Sequence, residues 1–240
     1  EIRAEPNPGF GGIHPEPIPR NLQPLVAAVR AEGADLGLAL DGDGDRSGAV
    51  DDEGRFVDPQ QVFALLLRHL VERRGWTGSV VKTFAVTDMV DKLAARYGLR
   101  LHVRPVGFKY VCELALQEDV LIGGEESGGI GVKNHIPERD GILVDLLLLE
   151  IVATEGKPLH AVVADLLADV GPHHYRRLDL RLTAERKEEL LDQLRRNTPA
   201  AFAGIPVTGV DTLDGFKFRL GGRGWILFRA SGTEPVVRVY

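Results

Sequence analysis

Apolar positions along the chain recur with two different periods, and the alternation between them predicts an α/β protein. A helix is expected over 21–31, with Leu22, Leu25, Val26 and Val29 on one face and Asn21 as its cap. Gly33 stops it. The apolar run Leu36–Leu40 reads as a strand, and 47–57 as a hairpin around Asp52-Glu53-Gly54. Helix, strand, helix, strand, helix and strand then follow at 60–74, 79–84, 88–97, 101–106, 109–117 and 120–123, and a further helix at 140–155. Such alternation implies parallel βαβ units, whose ligands sit beyond the carboxyl ends of the strands. Apolar run 142–149 is broken by Asp145 and reads as a buried helix.

Beyond Asp169 the pattern changes. Gly171-Pro172 reads as a linker and pivot, followed by a strand at 175–182, a helix at 184–196, and short antiparallel strands at 207–213, 216–220 and 225–229. The last residues, 236–240, read as the middle of another strand. Residues 1–20 hold Pro6, Pro8, Pro15, Pro17 and Pro19 and are expected to run as an irregular connector. The organisation expected is therefore 1–57, 58–169 and a smaller α+β part at 170–240, with both ends reading as cut.

Composition narrows the function classes. The net charge of −6 argues against non-specific nucleic-acid binding. No apolar run reaches the roughly 18 residues that a membrane span needs. One cysteine, Cys112, leaves no internal disulfide and no multi-cysteine zinc site. The expected location is the cytoplasm.

Three loops carry the chemistry. The first, Asp41-Gly42-Asp43-Gly44-Asp45-Arg46, follows a strand and sets three carboxylates at alternate positions on a chain loosened by glycine. Like charges so placed repel unless a cation sits between them. A calcium EF-hand would need Gly and Glu where Arg46 and Asp52 stand. A dehalogenase-type phosphatase would need Thr or Val at Asp45 and a later Gly-Asp-x-x-x-Asp segment, which the chain lacks. The second loop is Gly123-Gly124-Glu125-Glu126-Ser127-Gly128-Gly129; its carboxylate and hydroxyl two residues apart can hydrogen-bond neighbouring hydroxyls of a sugar. The third, Arg229-Ala230-Ser231-Gly232-Thr233-Glu234-Pro235, combines hydroxyls, exposed amides and a guanidinium in an anion nest, with Arg238 returning as a second cation.

In this order the three loops resemble those of the α-D-phosphohexomutases, the family of phosphoglucomutase and phosphomannomutase. The resemblance implies mixed βαβ domains of that type followed by a smaller α+β domain. It implies Mg²⁺ on Asp41, Asp43 and Asp45, with Arg46 aimed at the substrate. Glu125 and Ser127 would bind sugar hydroxyls, and Arg229, Ser231, Gly232, Thr233 and Arg238 the phosphate that does not react. Gly107 and Lys109 resemble a family loop between the metal and sugar motifs, and His135 and Arg139 another segment near the sugar. Lys82 has two readings: an edge-strand lysine reaching solvent, or the family's acid/base. The implied reaction moves a phosphoryl group between O1 and O6 of a hexose, through a hexose 1,6-bisphosphate and a phosphoserine. The Glu-Glu-Ser version of the sugar loop resembles glucose-phosphate enzymes more than other branches. No Thr-x-Ser-His-Asn-Pro phosphoserine segment occurs in these 240 residues. A hexose phosphate substrate and the missing N-terminal domains are the partners implied, and the chain alone is expected to be inactive. A Mg²⁺-dependent sugar phosphatase and a non-catalytic sugar-phosphate-binding module are the alternatives.

Overall fold

A computed structural model describes residues 1–222, 224–232 and 235–240. The chain forms two compact units, Glu1–His173 and His174–Tyr240. Within the described residues no helix is long and apolar enough to cross a membrane.

The first unit opens with the proline-rich stretch, which makes one short 3₁₀ turn at Phe10–Gly12, and then helix α1 (Gln23–Glu32). Asn21 is not its cap. Its amide donates instead to the carbonyls of His14 and Glu16, tying back the proline-rich segment, while Pro24 starts the helix with a preset φ. Gly33, at φ 60°, closes α1 with its N–H on the Val29 carbonyl. Strands β1 (Leu36–Leu40), β2 (Ser47–Asp51) and β3 (Phe56–Val57) form an antiparallel meander in the order β1-β2-β3. The acidic loop is the β1–β2 connection, closed by pairing of Leu40 with Ser47.

Helix α2 (Pro59–Glu72) begins with a capping box: Asp58 accepts from the N–H groups of Gln60 and Gln61, and the Gln61 side chain answers to the Asp58 N–H. The second sheet has the order β5-β4-β6-β7, built from β4 (Ser79–Thr83), β5 (Leu101–Arg104), β6 (Val120–Gly124) and β7 (Ile130–Val132). Its first three strands are parallel, joined through α3 (Met89–Arg96) and α4 (Lys109–Ala115). Strand β7 turns back antiparallel on β6. It escapes the sequence pattern because three residues between glycine-rich and polar segments carry too little periodicity. All five residues of β4 and of β6 are buried, as expected of strands covered on both faces.

Two helices complete the unit, α5 (Gly141–Glu155) and α6 (Leu159–Val170). The second is not in the sequence reading, although Leu159, Val162, Leu166 and Val170 bury one helical face. Helix α5 corrects another expectation: Val144, Leu147, Leu148 and Ile151 are buried, but Ile142, Leu146 and Leu149 are 57%, 58% and 43% exposed. One apolar core contains Ala49 and Val57 of the first sheet with Phe63, Leu66, Val80, Leu121 and Leu148, so the acidic-loop meander and the parallel sheet share packing.

In the second unit, β8 (Leu178–Arg181), β9 (Ala201–Phe202), β10 (Ile205–Asp211), β11 (Phe216–Leu220), β12 (Trp225–Ala230) and β13 (Val236–Val239) form an antiparallel sheet of order β8-β13-β12-β11-β10-β9. Helix α7 (Ala184–Arg196) is capped by the Thr183 hydroxyl. Phe202, Phe218 and Phe228 cluster with ring centroids 5.2–6.1 Å apart. The two-residue strand β9 was not expected from the sequence.

Candidate functional site

The acidic loop folds back on itself. Asp41 Oδ1 accepts from the N–H groups of Asp45 (3.0 Å) and Arg46 (3.2 Å), while the Arg46 guanidinium reaches Asp41 Oδ2 at 2.5 Å. Gly44 takes φ 76°, a conformation that a side chain rarely tolerates, and this reverses the chain between Asp43 and Asp45. One carboxylate oxygen from each of Asp41, Asp43 and Asp45 lies within 4.8 Å of the others. The donors are all hard oxygens, which suits a hard divalent cation such as Mg²⁺.

The loop's electrostatics differ from residue to residue. Burial raises the Asp41 carboxyl, but the N–H and guanidinium of Arg46 outweigh it and hold the group below its usual range. Asp45 ends above its usual range: burial and the charges of Asp41 and Asp43 prevail over the pull of Arg139. Helix α5 meets the loop end-on, with the Gly141 N–H donating to the Gly44 carbonyl at 3.0 Å. Its N-terminal dipole thus faces the negative cluster. A Cβ on Gly141 would stand 2.8 Å from the Gly44 oxygen, so this approach depends on glycine.

The predicted sugar loop is brought to the same place. Arg46 bridges Gly129 in antiparallel fashion, and the Ser47 N–H points to the Gly128 carbonyl at 3.4 Å. Glu125 is buried and uses both oxygens: Oε1 accepts the Gly107 N–H at 3.0 Å, and Oε2 accepts from Arg139 at 3.2 Å. Burial, then the adjacent Glu126 charge, pushes its carboxyl up against the opposing pull of Arg139 and the Gly107 N–H. The other side of the Arg139 guanidinium is ion-paired with Asp45, and the group lies 5.6 Å from the Phe108 ring centroid. Arg139 therefore joins the acidic loop to Glu125, with Gly107 on the other Glu125 oxygen and Phe108 beside the guanidinium.

The remaining candidates are placed differently. Lys82 is not an edge residue, because β4 lies between β5 and β6 and the side chain is buried. Its ammonium contacts the carbonyls of Val86 and Thr87 and the carboxylates of Asp88 and Asp91. Lys109 sits over its neighbour Tyr110, 4.9 Å from the ring centroid. His135 shares Asp140 with the helix cap: its Nε2 is 2.8 Å from Oδ2, while Oδ1 accepts the Leu143 N–H. Ser127 is half-buried between Glu126 and Gly128.

In the second unit, cross-strand register sets Arg229 directly opposite Arg238, and Arg238 opposite Asp179. Arg229 also donates to Asp214 at 2.8 Å. Two guanidiniums facing each other across a sheet repel unless anions lie among them. The turn after β12 keeps Ser231 buried with its N–H on the Val236 carbonyl, and leaves Gly232 with open space at its Cβ position. Thr233, a predicted phosphate ligand, lies outside the described residues.

Sequence reasoning missed Phe108 as a surface for Arg139 and Gly128 as a point of close approach. It also missed Asp145, whose Oδ1 accepts from the Ser47 hydroxyl at 2.5 Å. A charge interrupting an apolar helix was the available signal for Asp145.

Known proteins of one family resemble the chain along its length. Models of three domains of one family match in order: phosphoglucomutase/phosphomannomutase alpha/beta/alpha domain II at residues 1–54, alpha/beta/alpha domain III at 58–170, and the C-terminal domain at 180–240. A phosphoglucomutase/phosphomannomutase of Thermococcus kodakarensis is 32% identical over 239 residues, covering 100% of this chain and 50% of the relative. A phosphoglucosamine mutase of Pelotomaculum thermopropionicum is 36% identical over 234 residues, covering 97% of this chain and 47% of the relative. A crystal structure of a protein assigned as a phosphomannomutase in Thermus thermophilus superposes with a TM-score of 0.83 at 43% identity, covering 99% of this chain and 49% of that one. The chain thus spans about half the length of the relatives it matches. With three family domains matched in sequence order, the chain belongs to the phosphoglucomutase/phosphomannomutase family.

Proposed function

We propose that this chain supplies the metal- and sugar-phosphate-binding half of a phosphohexomutase, acting on a hexose phosphate of glucose configuration in preference to mannose. The observation that carries the reading is Arg139, which holds Asp45 of the acidic loop and Glu125 of the sugar loop in one cluster. Asp41, Asp43 and Asp45 would hold Mg²⁺, which when bound would neutralise charge on the phosphoryl group in transit. Arg46 would orient the reacting phosphate. Glu125 and Ser127 would take sugar hydroxyls, with Gly107, Lys109, His135 and Arg139 lining that subsite. Arg229, Ser231, Gly232, Thr233 and Arg238 would hold the phosphate that stays in place; the reading is supported by the cross-strand register that sets two guanidiniums next to Ser231, Arg229 being held by Asp214.

Lys82 is proposed as the proton carrier, its Nζ positioned by Asp88 and Asp91. The phosphoserine would come from a segment outside these 240 residues, with hexose 1,6-bisphosphate as the intermediate. In a chain joined to such a segment, Lys82→Met is expected to cut turnover with the affinity for hexose phosphate unchanged; lost affinity or lost folding would assign Lys82 to structure alone.

Calorimetry and turnover assays on the 240-residue chain test the reading. Mg²⁺ and glucose 1-phosphate should bind, and Asp43→Asn together with Asp45→Asn should abolish the metal heat. Mannose 1-phosphate and glucosamine 1-phosphate should bind more weakly. No mutase turnover with glucose 1,6-bisphosphate is expected. Absence of Mg²⁺ binding at millimolar concentration refutes the metal assignment, and steady release of inorganic phosphate would make the chain a phosphatase.

A further inference from the structure

The cation that bridges the two loops occupies a carboxylate the metal would need. Arg139 contacts Asp45 through Nε and Glu125 Oε2 through a terminal nitrogen at 3.2 Å. Its stem lies flat on Gly129, where a Cβ would stand 2.8 Å from Arg139 Cδ. The guanidinium faces the Phe108 ring, and the side chain keeps 32% of its exposure, so it has both an alternative resting surface and room to shift. Arg46 differs, because it belongs to the acidic loop and its main partner is Asp41, with Asp45 3.6 Å away. A divalent cation and a guanidinium placed on the same carboxylate repel, so metal on Asp45 favours Arg139 resting on Glu125 and Phe108 alone.

We propose that Arg139 is a positioning residue that couples metal occupancy to the sugar loop: it neutralises Asp45 when no metal is bound and passes wholly to Glu125 when metal enters. Glu125 is pinned through its other oxygen by the Gly107 N–H, so the incoming guanidinium changes its charge environment without uncoupling it from that backbone. Two sites and two arrangements of one side chain meet the requirement for linkage, and the coupling is reciprocal. The idea rests on metal binding at the acidic loop as proposed above.

A double-mutant cycle in Mg²⁺ affinity, read by calorimetry on the metal alone, tests it. Arg139→Gln removes the competitor and is expected to tighten Mg²⁺ binding by about fivefold or more. Glu125→Gln leaves the guanidinium wholly on Asp45 and is expected to weaken binding. In the double variant that weakening should disappear. If Arg139 merely scaffolds the loop, Arg139→Gln weakens binding or leaves it unchanged, and the two changes add; either result overturns the proposal. Should Arg139→Gln fail to fold, the cycle is run with Arg139→Lys, a point charge that cannot span both carboxylates, and non-additivity of the same sign is expected. No Mg²⁺ binding to the wild-type chain would remove the metal assignment itself, which separates that failure from a failure of the coupling.

Discussion

Asp145 is a carboxylate set into an otherwise apolar stretch of α5, with the Ser47 hydroxyl as its hydrogen-bond donor. Burial pushes its carboxyl up from 3.8 to about 6, and the single bond from Ser47 offsets only part of that. Because the folded value lies above the unfolded one, the sign is opposite to that of most carboxylates. The neutral acid is compatible with the fold, stability is full below the unfolded value, and it is lost as pH rises through about 6. A rise of that size corresponds to about 3 kcal/mol at neutral pH. Asp145 is only partly buried, so solvent reduces this to about 1–2 kcal/mol. Asp145→Asn keeps an oxygen for Ser47 and removes the charge. The variant should therefore be about 1–2 kcal/mol more stable than wild type in urea titrations at about pH 7.5, with the gap closing near pH 4. A variant that is less stable at neutral pH, or a gap that does not depend on pH, would refute the reasoning and mean that the ionised carboxylate has a further partner.

Two other perturbations probe the frame around the site. The Glu150 carboxyl is held down at about 2, first by hydrogen bonds from Arg74, against burial and with help from His69, linking α5 to the end of α2. Its contribution is present above about 4.5 and lost as pH falls towards 2; since the side chain is 37% exposed, Glu150→Gln should cost only about 1 kcal/mol at neutral pH and nothing near pH 2, as read by urea titration. Gly128 takes φ 99°, and a Cβ there would stand 2.6 Å from the Ser47 oxygen, so Gly128→Ala should cost about 1–3 kcal/mol and lower the Tm; an unchanged melt would mean the loop crossing is looser than described.

Most of the architecture was legible because burial imposes periodicity. Strand β6 is buried along its whole length and opens on the apolar run Val120-Leu121-Ile122, buried β4 is legible through Val80 and Val81 although Lys82 interrupts it, and α2 sets Val62, Leu65, Leu66 and Leu70 at helical spacing. What stayed hidden depends on contacts made far along the chain. β7 exists because β6 offers an edge to three residues. Helix α6 was obscured by Gly156 and Pro158, which end one helix and immediately begin another. Within the site, the three carboxylates could be read from their spacing, since they alternate with glycines in one short loop. The Arg139 bridge could not. It spans residues 45, 125 and 139, and no local pattern distinguishes an arginine that joins two loops from one that faces solvent.

The mixed character of α5 has a practical consequence. Ile142, Leu146 and Leu149 recur at helical spacing on the solvent side of a chain whose net charge is −6. At low ionic strength that charge keeps copies apart. Sulfate or phosphate salts both screen it and strengthen apolar association. The protein should therefore be retained on a phenyl chromatography resin until late in a falling ammonium sulfate gradient, and Leu146→Glu should elute at markedly higher salt.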